Sequence, residues 1–256
     1  MDSILKKEEK GAWKSAWAIF LDEFLGSLKT KKILVIIISY LFLMFIGIKI
    51  GSLFEVFAWA MVGSRQAFSI QLPYYVSVAL LPLFSIIISY DVISEEISQG
   101  SIKFMAYRTD RYSIIMGKVL SSFAIASLMI LIAYITALFY IHSKIGLWFF
   151  LQYFISWIYL SIYAFCFICL TTAISIIMKS PSSSIIWAML ISILFLVMLN
   201  FDYAGLFSPF YFSDKALDLL VEGIFLEAFF GFIVLLLHTI LYFSISYAII
   251  KKMDLL

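Results

Sequence analysis

Charge is what this chain has least of. Asp, Glu, Lys and Arg make up 13% of its 256 residues, where soluble domains carry roughly 25%. With 64% hydrophobic residues and a mean hydropathy of +1.07, an ordinary water-soluble fold is excluded. Cysteine is nearly absent: Cys166 and Cys169 both lie in one apolar run, so there is no disulfide framework. Their spacing suits zinc or a redox pair, but a second ligand pair is missing, and two small apolar residues on one helix face is the simpler reading. Histidine is equally scarce. Of the two, only His238 falls in mid-span, where a neutral imidazole bonding a neighbouring helix is the commoner role. No metal site is expected, and no acidic, Met or His cluster marks a metal-ion path. No Gly-x-x-x-x-Gly-Lys-Ser/Thr occurs, so the chain has no phosphate-binding loop for ATP. A net charge of +2 is too small to argue for nucleic acid. No signal peptide is expected, because the first 32 residues are charged and amphipathic. There is no internal repeat and no low-complexity tract.

What is present is long apolar runs. A helical span needs about 20 mostly apolar residues. Six segments qualify: 33–50, 72–90, 119–141, about 156–178, 183–200 and 228–250. The expected fold is therefore all-α, a single six-span transmembrane domain over residues 1–256. The run 147–178 is too long for one untilted span, and its aromatic start (Trp148, Tyr153, Trp157, Tyr159) suits an interfacial beginning to a tilted helix. Lys179, Ser180 and Pro181 should form a tight turn, since proline disfavours continuing a helix. Pro82 should kink the second span.

Six spans place both termini on one side. Fourteen of the 18 basic residues share that side: seven in the N-tail (Lys6 to Lys32), four in 91–118, then Lys179, Lys251 and Lys252. The other side holds only Lys49, Arg65, Lys144 and Lys215. By the positive-inside rule the basic side is cytoplasmic, with the protein in the plasma membrane. Within 1–32, Trp13, Trp17, Phe20, Phe24 and Leu28 recur at helical spacing, as expected of an amphipathic helix lying in the headgroup layer. The outer segment 201–227 carries an apolar stripe (Leu217, Leu220, Val221, Ile224) beside an acidic one (Asp214, Asp218, Glu222), which points to short helices. If the protein is an exporter, Leu217, Leu220 and Ile224 would close the exit.

Residues 91–118 form a charged island between two spans, with Asp91, Glu95, Glu96 and Asp110 against Lys103, Arg108, Arg111 and Lys118. It is long for a connector and reads as a docking surface. Glu95-Glu96 could belong to a membrane protease of the Glu-Glu-x-x-x-Arg kind, but the arginine position is Gly100, and neither His142 nor His238 follows Phe-x-x-x. Glu96, Gly100 and Ser101 form Glu-x-x-x-Gly-Ser, in which the glycine can end one helix and let another begin at an angle. Arg111 follows, and then Gly117-Lys118, with the lysine at the membrane surface.

This arrangement resembles the membrane subunits of type 2 ABC transporters, the export-type permeases. Their pattern is Glu-x-x-x-Gly-Thr, an apolar stretch, Pro-x-x-Arg, and Gly-Lys entering the third span. Here Ser101 replaces the threonine, the proline is absent from Tyr107-Arg108-Thr109-Asp110, and the spacing is one residue shorter. The interfacial helix, six spans and ordered outer segment resemble the family too. The resemblance implies a permease that pairs with a second copy or close relative and with two ABC ATPase subunits. ATP and Mg would be bound by the partner ATPase, with no cofactor on this chain, which is not itself an enzyme. The coupling region would be 91–118, pressed into the ATPase through Glu95, Glu96, Gly100, Ser101, Arg108, Arg111 and Lys118. The second and fifth spans would line the path between two permeases. The competing readings are an accessory membrane protein and a stand-alone secondary transporter. The second of these usually shows mid-span ionisable residues or inverted repeats.

Overall fold

The computed structural model describes the backbone of residues 2–62, 68–146, 148, 150–201, 203–213, 215 and 225–252. Side chains are described from Trp13 onward within those ranges, except at 55–62, 68, 69, 105, 106, 108 and 145. No strand occurs among the described residues. The helices are α1 (Asp2–Leu28), α2 (Lys31–Val62), α3 (Phe68–Ser89), α4 (Ser94–Gln99), α5 (Ile102–Arg108), α6 (Arg111–Ile145), α7 (Phe150–Met178), α8 (Pro181–Met198), α9 (Pro209–Ser213) and α10 (Phe225–Lys252). A 3-10 turn, Gly205–Phe207, precedes α9. Among the described residues six helices are long and apolar enough to cross a membrane, at the six places the hydropathy marks. They extend beyond the apolar runs, because the backbone ladder continues into flanking polar sequence. Residues Arg111–Lys118, expected in a loop, are thus the first two turns of α6.

α7 is the axis of the bundle. It packs against α10, α3 and α6, and 83% of its most apolar window is buried, against 17% for α8 and 22% for α10. Its small and polar residues Ser156, Ser161, Ala164, Thr171, Thr172 and Ser175 are all buried. This is the composition that lets helices approach closely in lipid. α2 lies on α3, and α1 runs along α6. The face α1 turns to the bundle contains Ala16, Ile19, Phe20, Glu23 and Phe24, while Trp13, Trp17, Leu21 and Leu25 point outward. The stripe expected from Trp13 to Leu28 is therefore divided between the two faces. The turn into α8 forms as expected: Lys179 takes φ 57°, the Ser180 hydroxyl accepts from the Ser183 amide at 3.4 Å, and Pro181 occupies the first turn.

With no water in a bilayer core, every backbone polar group needs an internal partner. Two places show how this is met. Pro82 lies inside α3 and has no N–H, so the Val78 carbonyl one turn earlier loses its helical donor. The Tyr163 hydroxyl, from α7, donates to that carbonyl at 3.2 Å. The second place is α9, whose Pro209, Phe210, Phe212 and Ser213 are buried. Its terminal carbonyls accept from two tyrosine hydroxyls, Tyr159 to Phe212 O at 2.6 Å and Tyr74 to Ser213 O at 2.5 Å. Phe210 reaches into the bundle edge-on to Phe167, 5.3 Å between ring centres, and Tyr163, 6.0 Å away. α9 is buried against the bundle, and the segment 201–227 does contain short helices among its described residues. Its sequence stripes, with Leu217, Leu220 and Ile224, lie outside the described residues.

Tyr163→Phe is expected to lower unfolding stability by about 0.6–1.7 kcal/mol, the range of polar contacts between spans. In a Pro82→Ala background, where the Val78 carbonyl regains a helical donor, the same change should cost almost nothing. Equal losses in both backgrounds, measured by denaturant titration in micelles, would refute this account of Pro82.

Candidate functional site

The charged island folds as a corner of two short helices. α4 ends at Gly100, which has φ 73° and whose amide donates to Ile97 O at 3.2 Å. Only a residue that tolerates a left-handed backbone can end a helix this way. α5 then leaves at a new angle, with Ser101 donating back to Glu96 O at 3.4 Å. The corner is fastened from below by Ser175 of α7, buried. Its hydroxyl donates to Tyr90 O at 3.0 Å and accepts from the Ser94 amide at 2.9 Å. Lys32, at the start of α2, pairs with Asp91 at 2.5 Å and lies 4.3 Å from the centre of the Tyr90 ring.

The centre of the site is Lys118. It is 3% exposed and pairs with Glu23 of α1 and, at 2.8 Å, with Glu96 of α4. The sequence places this lysine at the membrane surface; the structure shows it buried between α1, α4 and α6. Gly117 is the reason. A Cβ there would lie 2.7 Å from Ala16 O and 2.8 Å from Ile19 Cβ, so only glycine lets α1 cross α6 this closely. Once α1 is seated there, Glu23 covers the ammonium. The adjacent Gly and Lys thus do one job between them: the first admits α1 and the second binds it.

Arg111 donates to the carbonyls of Ile250 at 3.0 Å and Lys251 at 2.8 Å. A cation on the last carbonyls of α10 is the favourable sense for a helix dipole, and it ties the sixth span to the start of the third. Glu96, Ser101, Arg111 and Lys118 therefore turn inward and hold the corner. Glu95 is exposed, held by Gln99 Nε2 at 3.0 Å. Phe104 and Tyr107 of α5 are 78% and 86% exposed. The side chain of Arg108 lies outside the described residues. Sequence reasoning missed Glu23, Ser175, Phe104 and Tyr107. The aromatic pair had a signal, two large rings in a charged stretch, whereas Glu23 and Ser175 are recognisable only once the helices pack. His238 bonds the Val234 carbonyl of its own helix through Nδ1 at 2.9 Å, rather than a neighbouring helix.

Six apolar helices among the described residues, with a charged, fastened corner at one end, define a polytopic helical membrane protein. The family model for the ABC-2 family transporter protein matches residues 17–255, and the chain belongs to that family. It is an ABC transporter permease. A search of curated proteins finds none that matches it.

Replacing Lys118 by Met should cost about 3–5 kcal/mol, because Glu96 is left buried without a counter-charge. The double change Lys118→Met with Glu96→Gln should recover a good part of this. Thermal unfolding of the purified protein tests it, and a Lys118→Met variant as stable as the parent would rule the ion pair out as a structural centre.

Proposed function

We propose that this permease is the membrane half of an ATP-driven exporter, working as a pair and driven by two separate ATPase subunits. The observation that carries the reading is α5. It presents two exposed aromatic rings, Phe104 and Tyr107, on a corner fastened to α1, α2, α6 and α7. Buried aromatic anchors supply most of the energy of a protein interface, and a lever needs a stiff base. Glu95, Lys103 and Asp110, exposed in the same island, would supply a polar rim, and Gly100 sets the angle between α4 and α5. Glu96, Ser101, Arg111 and Lys118 act by holding the corner in shape.

In the proposed orientation both termini and the corner are cytoplasmic, as the basic residues favour, and the protein lies in the plasma membrane. ATP and Mg belong to the partner ATPase. Closure of the ATPases on nucleotide pushes α4 and α5, and α3 carries the push across the membrane. The substrate path lies between two permeases. α7 fills the middle of each bundle, 83% buried over its apolar window, so a wide path has no room inside one copy. Leu217, Leu220 and Ile224 remain the proposed exit gate.

Two predictions follow from this arrangement. Phe104→Ala with Tyr107→Ala should lose at least 2 kcal/mol of docking energy, roughly a 30-fold weaker complex. The melting of the permease itself should not change, because both rings are exposed. Undiminished ATPase capture and turnover by the double variant would sink the docking assignment. Native mass measurement of the complex should show two permeases with two ATPases. Coupled transport by a complex with a single permease would refute the pairing.

A further inference from the structure

Behind the corner, walled by α1, α2, α4 and α6, lies a cavity of about 400 Å³. Its wall carries four carboxylates (Glu23, Asp91, Glu95, Glu96) but only two ammonium groups, Lys32 and Lys118. The lysines are spent on Asp91, Glu23 and Glu96, so the lining keeps an excess of two negative charges.

A second, independent feature points the same way. Ser121 and Ser122, on α6 one turn beyond Lys118, line the cavity and are 3% and 4% exposed. Serines in helices commonly donate to the carbonyl four residues back, as Ser89, Ser184 and Ser246 do in this protein. Neither Ser121 nor Ser122 makes that bond, and neither hydroxyl has a protein partner. Glu96, which lines the same space, has a buried carboxylate oxygen, Oε2, with no hydrogen-bond partner, and a buried polar atom left without one is costly. Two adjacent unpartnered hydroxyls and that oxygen, facing one negatively lined space, mark a site for a ligand that brings its own N–H or O–H donors.

The chemistry narrows the ligand further. Among the described residues no group of three His, Cys, Asp or Glu is placed to hold a metal ion. Ile33, Ile88 and Ile125 complete the wall, which suits a cation carried on a short aliphatic stem. α1 closes one side and turns Trp13 and Trp17 outward, 57% and 51% exposed, in the manner of a helix lying at a membrane surface. We propose that the cavity holds a primary ammonium group, supplied by the headgroup of an ethanolamine phospholipid from the adjacent leaflet. The ammonium donates to the Ser121 and Ser122 hydroxyls and balances the unneutralised carboxylates. Its phosphate rests at the rim near Lys32 and Thr30. Occupancy ties α1 to α4 through the lipid as well as through Lys118. This inference does not depend on the exporter reading.

Native mass spectrometry of the full-length permease tests it, with dioleoyl phosphatidylethanolamine titrated against the phosphatidylcholine of the same chains. The trimethylated choline headgroup has no N–H to donate. The ethanolamine lipid should bind about tenfold more tightly, the worth of one hydrogen bond to a charged group. Ser121→Ala with Ser122→Ala should bring it down to the choline level while leaving the melting midpoint in place. If that variant fails to fold, Glu95→Gln, at an exposed position, should still weaken ethanolamine binding selectively. Free ethanolamine and phosphoethanolamine form the other arm. Competition by either at concentrations matching the lipid would support the ammonium site and assign it to a soluble amine. Equal retention of both lipids, or an ethanolamine preference untouched by the serine and Glu95 changes, would overturn the proposal.

Discussion

A single buried cation organises one whole end of this protein. Lys118 is taken out of water on α6, and an ammonium in that position is tolerable only when carboxylates approach it closely. Glu23 arrives on α1 and Glu96 on α4, so three separate elements are fixed by one charge. The approach depends on Gly117, where any side chain would strike the backbone of α1. The same end is closed by Lys32 on Asp91 and by Arg111 on the last carbonyls of α10. Basic residues here serve as internal fasteners, and the excess of positive charge at this end is a separate consequence of the same placement.

α3 connects that end to the opposite one. At its C-terminal end, Ser175 and Lys32 hold the residues between α3 and α4. Near its N-terminal end, Tyr74 donates to the last carbonyl of α9. Between them lies Pro82, whose missing donor is replaced by Tyr163. Tyr163 also packs against Phe210 of α9, so α9 touches the residue whose hydroxyl replaces the donor missing at Pro82. A push on α4 in the proposed cycle meets a helix anchored at both ends with one weak point in the middle, and α9 is attached at that point and N-terminal to it.

Much of the fold was legible because lipid imposes one rule on every span: length and apolarity. The six spans, the Lys179–Pro181 turn and the Gly100 cap follow from local chemistry that packing does not override. Lys118 was not legible in the same way. A lysine after a glycine at the mouth of a span looks like an interfacial residue, and nothing local shows that Glu23, 95 positions earlier, will lie over it. Ser175 is similar, one hydroxyl among many in an apolar helix until the Tyr90–Ser94 corner folds onto it. The amphipathic reading of α1 had the right element but the wrong division of faces. Ala16 and Glu23, poor hydrophobic markers, lie on the packed side, while two tryptophans lie on the other.

The division of labour within the corner explains why its charged residues are so unequally exposed. A surface that transmits force to another protein needs contact groups free to dock and a support that does not yield. Exposed ion pairs supply little stiffness, typically 0–1 kcal/mol each, because solvent competes for both partners. Placing Lys118 at 3% exposure removes that competition, and sharing it between two carboxylates means neither α1 nor α4 can leave alone without stranding charge. Phe104 and Tyr107 can then stay exposed on α5, since the stability of the corner does not pass through them. The arrangement separates what recognises from what supports, and a change in the docking rings need not disturb the charge that holds their base.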